Sequence, residues 1–183
     1  MGKNKKTLIN GVNFYPHSKG GGLVAETAIV AKTAFIGPNV KIYDEAEIRG
    51  NAKISDNAIV SGNAKICSNA KISDNAIILR NARIFGDAEI FGDATISDNA
   101  KVFGHAKVYG DADIFGDSMV FENAMVFSNA EVCGYAEIFG HAKIFGDTRI
   151  SANARYSGNV KISADTKFSN NISVLEEDGA AAY

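Results

Sequence analysis

A period of six residues runs through this chain and restricts it to very few architectures. Asn51-Ala-Lys-Ile-Ser-Asp56, Asn57-Ala-Ile-Val-Ser-Gly62, Asn81-Ala-Arg-Ile-Phe-Gly86 and Asp111-Ala-Asp-Ile-Phe-Gly116 all stand in one phase. Extended both ways, the frame holds from Gly21 to Glu176, which is 26 hexads without an inserted or deleted residue. Such self-similarity marks a repeat architecture in which each unit buries its apolar face against the next. In a chain of 183 residues the repeat leaves room for a single domain.

Within the hexad, position two is nearly always Ala and position four nearly always Ile or Val. Two inward residues with one outward residue between them is strand alternation, whereas a helix needs apolar spacing near 3.6. Positions six and one carry Gly, Asp, Asn or Ser followed by Asn, Asp or His. These types tolerate the left-handed backbone region, so each hexad ends in a corner. Strands this short must pair with residues a whole coil away, and three corners close a triangle of 18 residues. Ile78, Ile96, Ile114, Val132 and Ile150 then stack in one interior column. The 26 hexads give almost nine coils, and at ~4.8 Å between strands the prism is about 40 Å long.

The expected fold is all-β: a single-domain parallel β-helix of about nine triangular coils over residues 21–176. Residues 1–20 form an N-terminal arm, and within it residues 7–16 read as strand, Asn10-Gly11 turn, strand, a hairpin cap. Residues 177–183 lose the period and read as a flexible acidic tail. A cap matters because an open coil edge invites pairing with another chain.

These residues resemble the left-handed β-helix hexapeptide-repeat family, whose pattern is an aliphatic residue, two or three turn-formers and a small residue. The match covers about 85% of the chain. The resemblance implies left-handed coiling, against the usual right-handed crossover preference of longer connections. The runs of Asn-Ala-x-Val-x-Gly are most similar to uninterrupted repeat proteins of phage and bacterial genomes, some of them named acyltransferases by fold alone.

Composition excludes several functions. Charged residues make up 22% and the net charge is −2, so no strong field draws nucleic acid or an anionic membrane. The basic start Met-Gly-Lys-Asn-Lys-Lys precedes no apolar run of secretory-signal length. Lys6 stands where a myristoylation signal wants Ser or Thr. No stretch approaches the ~20 apolar residues of a membrane span. Cys67 and Cys133 lie 66 residues apart, neither a disulfide framework nor a metal pattern, and a reducing cytoplasm is the expected location.

The resemblance implies two chemistries to test on the residues. Acyltransferases of the family use a histidine as general base beside an acyl-carrier thioester, here coenzyme A, in a groove between subunits. Carbonic anhydrases of the family bind zinc through histidines across a trimer interface. The chain has three histidines: His17 before the repeat, and His105 and His141 within it. The last two share the position-one column two coils apart, with Asn123 between them. That is roughly 10 Å, too far to ligate one metal within a chain, and a catalytic zinc needs three protein ligands. No zinc site is expected. His105 and His141 remain the weak candidates for a general base, since the loops that carry catalysis in the family break the hexad frame and none does here. His also shares the corner preference of Asn and Asp.

Calcium-binding nonapeptide and EF-hand spacings are absent from the sequence. Gly20, Gly21 and Gly22 follow Lys19 but precede no helix or Lys-Ser/Thr pair, and read as a hinge into the first coil. Cys67 and Cys133 occupy outward position five on different faces, with no base placed beside either.

The informative column is position five, which holds eight of the eleven phenylalanines. Phe85, Phe103, Phe121 and Phe139 form one column, and Phe91, Tyr109, Phe127 and Phe145 another. They flank a face whose central outward column is Glu89, Lys107, Met125 and Lys143, with His105 and His141 at its corner. Stacked rings stabilise one another by ~0.5–1.5 kcal/mol per pair beyond burial. Ser at residues 55, 61, 73, 97, 151, 157, 163 and 169 shows that the repeat does not require them. If each ring leaves about 100 Å² uncovered, eight exceed the ~300–600 Å² patch usual on a monomer. The expectation is therefore a non-catalytic homo-oligomer acting as a structural or binding module without a cofactor, and the family resemblance implies a trimer before a dimer. Its partner is a host protein or a small ligand, and neither nucleic acid nor membrane. The alternatives are the acyl-coenzyme A acyltransferase and a small-ligand sponge.

Overall fold

The computed structural model describes residues 6–163, 167–168 and 171–175. These residues form 28 strands in three sheets, with no helix. The first sheet opens with the hairpin β1 (Thr7–Ile9) and β2 (Val12–Pro16), passes antiparallel into β3 (Leu23–Ala25), and then runs parallel through every third strand to Lys167–Phe168. The second runs from Ile29–Val30 to Ser173–Leu175 and the third from Phe35–Ile36 to Lys161–Ser163. Each sheet is one face of a parallel β-solenoid. The first sheet has eleven strands, nine once the hairpin is set aside, and the others have nine and eight. That is eight full coils and two further strands among the described residues.

Pairing follows the period. Lys65 faces Arg83 and Ile66 faces Ile84, and Glu89 faces Lys107, each pair one 18-residue coil apart. Most strands are only two residues long, at positions three and four. The hydrogen bonding nevertheless continues past them. Ser55 N–H donates to Ile72 O at 2.9 Å and Asn57 N–H to Asp74 O at 2.8 Å, so corners are paired coil to coil as well. In this way tight corners satisfy their backbone without a helix or a long strand.

Ala at position two and Ile or Val at position four are fully buried along the prism, including Ile78, Ile96, Ile114, Val132 and Ile150. Ser118 and Thr148 replace Ala at two buried sites, and their hydroxyls donate to Phe115 O at 2.8 Å and Phe145 O at 2.7 Å. At the corners from Asp44 to Gly158, position six is left-handed whatever its residue: φ is 58° at Asp56, 57° at Arg80 and 73° at Gly86. Asp there does more than tolerate the angle, because Asp44 accepts the N–H of Gly62 and Asp74 that of Gly92 from the next coil, at 2.8 and 2.9 Å. Position one stacks into amide ladders such as Asn39 to Asn57 to Asn75 to Asp93.

At the N-terminal end, Phe14 is buried and meets Tyr43 edge-on, with centroids 5.2 Å apart. The glycine run is not a hinge. Gly22 N–H donates to Ile36 O and Ile36 N–H to Lys19 O, both at 3.0 Å, so the run lies flat over the first strand of the third face. Gly20 sits at φ 110°, and a Cβ there would be 2.2 Å from Ile36 O. The expected acidic tail, 177–183, lies outside the described residues.

Candidate functional site

The two aromatic columns are continuous stacks. Phe85, Phe103, Phe121 and Phe139 have centroids 4.7, 4.9 and 4.9 Å apart, with planes within 7° of parallel. Phe91, Tyr109, Phe127 and Phe145 repeat the arrangement at 4.7, 4.9 and 4.9 Å. The spacing is that of the strands, so the backbone sets the stack. The Arg155 guanidinium lies over the last ring of the first stack, 5.5 Å from the Phe139 centroid.

Position five is less outward than strand alternation implies. All eight rings are half-buried, and none is among the strongly exposed large hydrophobics, which are Leu8, Tyr15, Ile29, Tyr135 and Leu175. Cys133, in the same position on the first face, is only 5% exposed. Neighbours one strand spacing above and below cover the flat sides of each residue. What the ladders present is ring edges, less area than about 100 Å² per ring. Burial also pushes the Cys133 thiol up, which makes it a poor nucleophile.

Between the ladders, Glu89 is held by Lys71 and Lys107 from the coils on either side, at 2.9 and 2.8 Å. Lys107, with Lys71, keeps its carboxyl below the ordinary range. Met125 continues the column between Lys107 and Lys143. His105 and His141 are both exposed, and the Nδ1 of His105 is 3.8 Å from Asp87 Oδ2. Among the described residues no three His, Cys, Asp or Glu side chains come together to hold a metal, and no helix is long and apolar enough to cross a membrane.

The first face carries an acidic pair that the ladders distract from. Asp113 and Glu131 face each other in register, and Glu131 pairs with Arg149. Burial, aided by the Glu131 and Asp111 charges, raises the Asp113 carboxyl above its usual value. A raised pKa means the folded chain holds this proton to higher pH than the unfolded chain. Stability therefore falls as pH rises from the ordinary Asp value through the raised one, and stays lower above it. Asp113→Asn should stabilise the protein at pH 7 by about 0.5–1 kcal/mol. The gain, read as a urea midpoint, should shrink at pH 4.

No family model matches the chain, and no curated protein matches it.

Proposed function

We propose that the protein is a non-catalytic, self-associating β-helix that serves as a rigid structural or binding module, with the ladder-flanked face as its contact surface. One observation carries this reading: phenylalanine occupies position five only in the coils around residues 81–146, on a frame that tolerates Ser there in other coils, while Tyr43, an aromatic at this position outside those coils, packs on the cap residue Phe14. Edges of eight rings, with Met125 and Lys107 in the column between the two stacks, are the surface that a second copy would cover. The family resemblance supports left-handed coiling, a hexapeptide-repeat ancestry, a trimer ahead of a dimer, and a phage-encoded protein acting in a host cytoplasm on a host partner or a small ligand.

The rival reading is acyl transfer from coenzyme A with His105 or His141 as base. General-base catalysis needs the nucleophile's proton within ~3 Å of the base in a site that positions it, and two open corner histidines supply no such site. Incubated with acetyl-coenzyme A and a panel of amines, sugars and alcohols, the protein should transfer no acetyl group. Transfer that disappears in His105→Ala or His141→Ala overturns the proposal.

A further inference from the structure

The five arginines divide unequally. Arg49 pairs with Glu47, Arg80 with Asp98, Arg149 with Glu131 and Arg155 with Glu137. Arg83 has no carboxylate partner among the described residues. Directly opposite it in the parallel ladder of the second face stands Lys101, which also has none. Like charges in facing positions destabilise a sheet, and at two nearby places the cost is relieved from within the chain. Lys71 above Lys53 is held by Glu89, and Lys65, the other neighbour of Arg83, is held by Glu47 at 3.0 Å.

The two unrelieved cations line one groove of about 300 Å³, bounded by Asn81, Arg83, Asn99, Lys101, Asp117 and Met119. Its polar wall is ordered. Asn81 Nδ2 donates to Asn99 Oδ1 at 3.3 Å and Asn99 Nδ2 to Asp117 Oδ1 at 3.1 Å. Each amide nitrogen keeps a second hydrogen outside this chain of bonds. Asp117 closes the far end, so an anion is favoured at the Arg83 end, away from that carboxylate. Two cations on neighbouring strands, whose backbones lie about 4.8 Å apart, are neutralised together by one dianion, and a guanidinium fork matches two oxygens of a tetrahedral oxyanion. A lone carboxylate would balance only one of the two.

We propose that the groove formed by Arg83, Lys101, Asn81 and Asn99 binds a phosphoryl dianion, as free phosphate or as the phosphate of a monoester. Arg83 grips two oxygens, Lys101 a third, and the corner amides donate to the same group. The site is independent of the self-association proposed above.

The test is thermal unfolding with inorganic phosphate or phenyl phosphate, against chloride at equal ionic strength and pH 7.5. Either ligand at about ten times its dissociation constant should raise the wild-type midpoint by a few degrees. A response to both identifies the phosphoryl group itself as the ligand, and a response to phenyl phosphate alone identifies a monoester. Arg83→Gln/Lys101→Gln should abolish the shift, with an unliganded midpoint no lower than wild type because a like-charge pair has been removed. Lys41→Gln/Lys53→Gln removes two exposed cations outside the groove and should keep the shift. No shift in the wild type with either ligand, or an equal shift in the Arg83/Lys101 variant, overturns the proposal.

Discussion

Replacing Phe103 and Phe121 together by Ser should leave the coil folded and divide the proposed assembly into single chains. Both positions are the middle of a four-ring stack, so the change breaks every ring contact in it, from Phe85–Phe103 to Phe121–Phe139. At ~0.5–1.5 kcal/mol per pair the fold loses about 2–4 kcal/mol. The core beneath is untouched, because Val102 and Val120 stay fully buried. Ser occupies the same position at residues 55, 61, 73 and 97, so the backbone accepts it. An interface centred on these rings would lose ~2–4 kcal/mol per contact, a 30- to 1,000-fold weakening. An unchanged far-ultraviolet spectrum with a mass reduced to one chain is the expected result. Phe103→Tyr should keep the assembly, since Tyr109 already stands in the other stack.

The second large effect is expected at Ile114→Ala. Ile114 is fully buried and sits in register between Ile96 and Val132. Removing three carbons from a packed interior costs ~2–5 kcal/mol, more where the surroundings cannot collapse. A prism whose three faces are each hydrogen-bonded from coil to coil has little freedom to collapse locally, which favours the upper part of that range. Each coil touches only its neighbours, so a lesion in the middle also weakens the coupling between the two halves. A lowered urea midpoint with a broadened transition is the expected signature. Ser97→Ala, on the same face but outside the prism, should stay within ~0.5 kcal/mol of wild type.

Much of this molecule can be read from spacing alone. Residues 18 apart are axial neighbours, so the register of Glu89 on Lys107 and the stacking of Phe103 on Phe121 follow directly from the hexad. The hairpin is equally legible, because Asn10 and Gly11 both adopt positive φ, 48° and 81°, as an Asn-Gly turn requires. Spacing does not report how deep an outward side chain sinks. Alternation treats position five as exposed, yet Cys133 is buried and the rings half-buried, because cover comes from the column itself. Nor does it report lateral reach. Arg155 over Phe139 depends on how a long side chain folds across two columns. The isolation of Arg83 shows only when every neighbouring carboxylate is assigned, although its facing of Lys101 was there in the numbering. The glycine run misleads for a related reason: flexibility is its sequence signal, but the cause of Gly20 is the closeness of Ile36 O.

The most direct test of self-association through the ladder face is sedimentation equilibrium of the wild-type chain at micromolar concentration. A mass of two or three times 19.4 kDa is predicted, falling to 19.4 kDa in Phe103→Ser/Phe121→Ser. A wild type that sediments as a single 19.4 kDa species contradicts it.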